Sequence, residues 1–398
     1  MAPRPSLLRL SLMSALVLVS ACKKESDAKT EGASKASAQG APAVQGKTLK
    51  VGLVTDVGGR GDHSFNDSAL RGLELWGAGK KMEGGSYKDA SAEELKGTLV
   101  QDLATRGITP QPITPVVLQS KVAEDYEPNL QLLVDQGAAL SVGVGFMLEG
   151  AVETVAKRNP DAKFLLIDSP LVGADGKPYT LPNVRTVVFR EEEGSFLVGA
   201  LAGLVTQGNK VGFVGGMEVP LIKKFEAGFR AGVAATNPKA TVVVNYTGSF
   251  DNVSMGKQVG QDVLAKGADI IYQAAGSDGL GVIQAVKEAR EANKAVFVIG
   301  VDSDQSNLAP EAVLTSMVKR VDLAVYEAVR DLNQGKLQGG DVVLGLKEGG
   351  VTYAPVRVEF PKRTEALEKL EELRARIVAG ELKVPAHPSE LPAAPAGK

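Results

Sequence analysis

What most constrains the fold of this chain is a repeated rhythm. From Leu49 onward, short apolar runs rich in β-branched residues alternate with longer segments whose apolar residues recur at helical spacing. The runs cover 50–55, 139–144, 163–167, 184–189, 210–214, 241–246, 269–274 and 295–301. Nearly continuous Val/Ile/Leu runs suit parallel strands covered on both faces. Between them lie stripes such as Ile222, Phe225, Phe229 and Val233, or Val321, Val325 and Leu332. Several of these segments end at helix-stopping residues: Gly137, Asn159-Pro160, Gly208, Asn237-Pro238 and Gly267. The rhythm predicts an α/β protein with parallel sheets, in two β/α sets starting near Leu49 and Lys210, each of four or five strands. Sites in open α/β sheets lie beyond the carboxyl ends of strands. The residues at those positions are Asp56, Phe146, Asp168, Met217, Asp278 and Asp302.

Residues 77–115 break the rhythm with Gly- and Pro-rich pieces around one expected helix. Ser91 and Glu94 stand at capping-box spacing there, and Leu95, Leu99 and Leu103 share a face. This stretch reads as a surface insertion. Ahead of the folded body, Arg4 and Arg9 flank an apolar run that ends at Val19-Ser20-Ala21-Cys22. The run is shorter than the roughly 20 residues of a spanning helix and reads as a secretory signal, residues 1–21. Its end is similar to a bacterial lipobox, with the chain's single Cys at the position to be lipidated. Residues 22–47 are Lys, Ser, Ala, Gly, Gln and Glu with few apolar groups, a composition that makes a flexible lipid-anchored tether.

Composition narrows the chemistry. A net charge of −2 offers no basic excess for nucleic acid. One Cys and two His, His63 and His387, leave no zinc cluster and no disulfide framework. No metal or cofactor is expected. No P-loop and no G-x-S-x-G elbow occurs, and Gly143-Val144-Gly145-Phe146-Met147-Leu148-Glu149-Gly150 misplaces the third Gly of a dinucleotide fingerprint. The pair Asp302 and Asp304 has nothing in the sequence to set it against a nucleophile. The chain is therefore read as a binding protein and not an enzyme.

The most informative segment follows the first strand: Val54-Thr55-Asp56-Val57-Gly58-Gly59-Arg60-Gly61-Asp62-His63-Ser64-Phe65-Asn66-Asp67-Ser68. Its glycines let backbone turn against a ligand, and Asn66 or Asp67 suits the cap of the next helix. Further segments follow in order: Glu127-Pro128-Asn129-Leu130, Gly143-Val144-Gly145-Phe146, and Phe189-Arg190-Glu191-Glu192-Glu193-Gly194-Ser195. After them come Val211-Gly212-Phe213-Val214-Gly215-Gly216-Met217, Gly300-Val301-Asp302 and Thr315-Ser316-Met317-Val318-Lys319. Together they resemble the basic membrane protein (Med, or purine nucleoside receptor A-like) family of substrate-binding lipoproteins. The resemblance runs over about 49–355, apart from the insertion.

The resemblance implies a type I periplasmic-binding fold, two Rossmann-like lobes joined by three crossovers. Lobe 1 would hold 48–189 with about 314–335, and lobe 2 would hold 190–301 with 341–398. It implies an extracytoplasmic protein, anchored in the cell envelope and facing the periplasm or exterior, that delivers a small solute to an ABC permease and its ATPase. Purine nucleosides are the best-supported solute class. Carried onto this chain, Asp56 would bond the base, with Asn66 and Phe146 beside it, and Phe65 would stack on one face. Phe250 or Tyr246 would close the other face, and Asp278 and Lys319 would hold the ribose hydroxyls, with Asp302 close by. Flat heteroaromatics want apolar ring faces, and diols suit carboxylate acceptors. An N-terminal helix position explains Asp278 equally well. The same lobes would also serve a sensor docked on a membrane receptor.

Overall fold

The computed structural model describes residues 48–98 and 107–391. The signal, the tether with Cys22, and Leu99 and Leu103 of the expected insertion helix lie outside the described residues. The body is built around two six-stranded sheets. The first runs in the order Gly340–Leu344, Val184–Phe189, Phe164–Ile167, Leu140–Val144, Leu49–Thr55 and Ile113–Gln119, with every pair parallel. The second runs Thr241–Tyr246, Lys210–Gly215, Ile270–Ala274, Phe297–Asp302, Val313–Lys319 and Val351–Tyr353. Only its last strand is antiparallel to its neighbour.

Strands so apolar need cover on both faces, and helices supply it. In the first sheet Leu53, Val142 and Leu165 are fully buried, as are Phe213, Tyr272 and Ile299 in the second. The helices Glu191–Val205 and Pro220–Thr236 pack together on the second sheet, joined by Arg363–Val378. Counted along the chain, the first five strands of each sheet stand in the spatial order 2-1-3-4-5. This order reverses between strands 1 and 3, and there the two crossover connections leave in opposite directions and open a crevice at the strand ends.

Sheet membership corrects the expected lobe boundaries. Val313–Lys319 belongs to the second sheet, and the chain first returns at Arg320, where Val321–Asn333 packs on the π-helical turns Arg71–Gly77. Gly340–Leu344 closes the edge of the first sheet, and only from Val351 does the chain rejoin the second. Both edge segments are short and partly polar, so apolar pattern alone did not assign them to a sheet. The insertion is likewise shorter than 77–115. Ile113–Gln119 is an edge strand of the first sheet, and its Pro115 masked the strand signal, because Pro is tolerated only where no ladder donor is required. Among the insertion's other described residues are a hairpin, Lys80–Glu83 with Ser86–Asp89, and the helix Ala92–Gly97, which carries the expected Ser91/Glu94 capping box.

Candidate functional site

A cavity lies at the reversal point of both strand orders. The first half supplies Asp56, Phe65, Asn66, Phe146 and Asp168, and the second supplies Phe225, Phe250, Asp302 and Lys319. Of the strand-end residues read from the sequence, Asp56, Phe146, Asp168 and Asp302 line it, and Met217 does not.

The loop after Leu49–Thr55 is organised by carboxylates. Asp62 accepts from the backbone N–H groups of Ser64 (2.9 Å), Asn66 (2.7 Å) and Asp67 (3.0 Å), which fixes the turn into the helix Phe65–Leu70. Asn66 Nδ2 then donates to Asp56 Oδ1 at 2.7 Å. Asn66 Oδ1 is buried and has no donor among the described residues, and the same holds for Asp168 Oδ1. Both residues line the cavity, so the site offers acceptors to a solute rich in N–H or O–H donors.

The rings come from both halves. Phe146 and Phe250 meet edge-on across the cleft, with centroids 6.3 Å apart. Phe250 sits where it does because residue 216 has no side chain: a Cβ there would lie 2.3 Å from Phe250 Cε1. Gly145, at φ +109, similarly lets backbone come against Phe65 and Asp56.

One buried cation ties the charges together. Lys319 Nζ lies 2.5 Å from Asp168 and 3.0 Å from Glu191, and within 5.1 to 5.4 Å of the ring centres of Phe189, Phe65 and Phe225. Burial pushes Asp168 up to about 6, although Lys319 opposes it. Burial likewise lifts Asp56 to about 6, against the Asn66 and Gly58 hydrogen bonds. It lifts Asp302 to about 7, against Lys319 and the Ser64 hydroxyl. For Glu191 burial works the same way but is outweighed by Lys319 and Lys224, which hold it below the usual range. Lys319 is raised despite its burial, because Asp168, Glu191 and Asp302 surround it. Asp168 and Asp302 both sit at strand ends with left-handed backbone, φ +73 and +61, a conformation that Asp tolerates better than most residues.

A raised carboxyl pKa means the folded protein binds the proton more readily than the unfolded chain. The stability Asp302 contributes is thus intact below about pH 4 and lost as pH rises through about 7. Asp302→Asn keeps an acceptor for Ser64 and removes the charge. By calorimetric unfolding it is expected to melt above wild type at pH 8 and not at pH 4.5; an equal gap at both values would refute this assignment.

Two expected site residues lie elsewhere. Tyr246 gives its hydroxyl to Glu226 Oε2 at 2.6 Å and packs edge-on against Phe213, so it faces the helix Pro220–Thr236 and not the cavity. Asp278 is fully buried at the start of Asp278–Glu291, where its carboxylate accepts from Ser249 Oγ at 2.9 Å and from the Asn252 N–H. It clamps the loop that carries Phe250. Asp62, Glu191, Leu221, Ile222 and Phe225 were missed as site residues. The last two belong to the apolar helical stripe of the sequence. The signal for them was their place in the first two turns of a helix that starts just beyond the strand Lys210–Gly215.

Two Rossmann-like halves that meet around a cavity at their strand ends define a two-lobed solute-binding protein of the periplasmic-binding class. The chain belongs to the family described as ABC transporter substrate-binding protein PnrA-like, whose model matches residues 49–388. It is thus an ABC transporter solute-binding protein and not an enzyme. It is 32% identical to the ABC transporter nucleoside-binding protein BmpA of Lactococcus lactis, over 93% of this chain and 98% of that one. It is 35% identical to an uncharacterized lipoprotein of Pyrococcus horikoshii, over 78% and 69%. Among solved structures, an ABC transporter system solute-binding protein of Aeropyrum pernix K1 superposes with a TM-score of 0.67 at 28% identity, covering 84% of this chain and 92% of that one.

Proposed function

We propose that this solute-binding protein takes a purine nucleoside and presents it to an ABC permease and ATPase from the outer side of the membrane that its lipidated Cys22 would anchor. The observation that carries the solute class is the composition of this cavity: aromatic rings from both halves beside the Asn66 amide and the Asp168 carboxylate, which have acceptor capacity left over. Phe65 and Phe250 would flank the base, with Phe146 at its edge. Asp56 and Asn66 would meet the polar edge of the base, and Asp302 with Lys319 would hold the ribose hydroxyls. Asp278 and Tyr246 have no part in this arrangement. The 32% identity to a nucleoside-binding protein supports the same class.

Calorimetric titration of residues 47–398 with adenosine, guanosine, inosine, uridine, adenine and ribose tests the proposal. Purine nucleosides should bind more tightly than uridine, adenine or ribose. Phe65→Ala should weaken them roughly 5- to 150-fold, the loss typical of one stacking ring. If no nucleoside binds below about 100 μM while another solute does, the solute class is wrong. N-terminal mass spectrometry of membrane fractions tests the anchor separately: Cys22 should carry lipid, and an unmodified Cys22 in a soluble wild-type protein would exclude it.

A further inference from the structure

Two segments outside the cavity lining bond directly across the cleft. In the first lobe they are His63 and Ser64; in the second they are Ser303 and Gln305, just beyond Asp302. Ser303 Oγ donates to the Ser64 carbonyl at 3.1 Å, and Gln305 Nε2 donates to the His63 carbonyl at 3.1 Å. Ser64 Oγ returns a bond to Asp302 Oδ2 at 2.6 Å.

Gln305 is held for this task from three sides. It is 1% exposed, and its Oε1 accepts from Val301 N at 3.0 Å and from Gln273 Nε2 at 2.8 Å. Its own backbone N–H donates to Ser316 Oγ at 3.1 Å. Two adjacent strands of the second sheet therefore fix the amide, a third holds the backbone, and Nε2 is the part that reaches the other lobe. Room for this side chain comes from Gly300, where a Cβ would lie 2.5 Å from Gln305 Oε1. On the receiving side, His63 has φ +50 and its N–H donates to Asp67. The adjoining Asp62 carboxylate ties the same turn to Asn66, and through it to Asp56. A pull on the His63 carbonyl is thus a pull on the turn that carries the cavity's acceptors.

We propose that Gln305, seconded by Ser303, is a positioning residue that latches the 62–64 turn onto the second lobe when the cleft shuts, and so prolongs the life of the solute complex without touching the solute. A bond that exists only in the shut form favours that form by its own strength and slows reopening, while encounter with the open form is unaffected.

The test uses the full chain carrying Cys22→Ser, with spin labels on cysteines placed at the exposed Glu124 and Glu218, one on each lobe. Pulsed-dipolar distances are measured without solute and with inosine, in wild type, Ser303→Ala and Gln305→Met. Each variant should shift the solute-free distribution toward longer distances. Inosine, used on the strength of the nucleoside reading, should dissociate roughly 2- to 13-fold faster at a nearly unchanged association rate. Gln305→Met also strips Gln273 of its acceptor, so a thermal scan accompanies it; if it does not fold, Ser303→Ala decides alone. Unchanged solute-free distances in the folded variants overturn the latch, whatever inosine does. A failure of inosine to bind would count against the nucleoside and leave the distance measurement to judge the latch.

Discussion

Replacing Lys319 by Met is expected to cost about 3 to 5 kcal/mol of folding stability at pH 8, the range for removing one partner from a buried ionic cluster. The ammonium is 2% exposed and is the counter-charge for Asp168, Glu191 and Asp302; Glu191 also pairs with Lys224 at 3.1 Å, which acts more weakly on Asp168. The loss should shrink at pH 5. Asp168 and Asp302 already hold their protons up to about 6 and 7, and without Lys319 they hold them further still, so acid neutralises the charges that have been stranded. Urea unfolding at the two pH values reads this directly. A loss below about 1 kcal/mol at pH 8, or the same loss at pH 5, would mean that the cluster is hydrated and not the buried network described above.

Gly256→Leu is expected to remove about 3 kcal/mol or more, at the upper end of what overpacking does. The helices Val253–Ala265 and Asp278–Glu291 cross so closely that a Cβ at residue 256 would stand 1.8 Å from the Asp278 carbonyl oxygen, a contact that no rotamer relieves. The consequence reaches the cavity. Asp278 is the clamp on Ser249 and Asn252, and Phe250 rides on that loop, so spreading the helices moves a ring of the site. Urea midpoints and solute titration of any folded Gly256→Ala protein should both fall, and a wild-type midpoint for Gly256→Leu would disprove the close crossing.

Much of this was legible because it is local. The β-branched runs carry their own strand preference and their two-sided burial, and the helix stops are backbone chemistry at single residues, so the α/β class and the strand-end positions followed from the order of residues. The turn after the first strand was legible for the same reason. Asp56, Phe65 and Asn66 lie within eleven residues of one another, and the Gly and Asp between them prescribe a tight polar turn next to a strand end.

Other features required the tertiary structure. Tyr246 and Phe250 are four residues apart in one polar stretch, and both read as ring donors. What separates them is Glu226, which takes the Tyr246 hydroxyl from a neighbouring helix, and Gly216, which leaves space for the Phe250 ring. Asp278 has the residue type for a diol and the position for a helix start, and the choice is made by the Ser249 and Asn252 donors, more than twenty residues earlier. The Lys319 cluster joins groups 151 residues apart, and the Gln305 bond to His63 spans 242. Sequence by itself determined most strands and helices of the two β/α sets, the four strand-end residues Asp56, Phe146, Asp168 and Asp302 that line the cavity, and the family. Tertiary structure alone decided which sheet the late strands 313–319 and 340–344 join, which carboxylates face the cavity and which are spent on clamping a loop. The physical reason is range: backbone preference acts over a few neighbours, whereas the partner of a buried charge or amide is whatever group the packing of distant segments brings within about 3 Å of it.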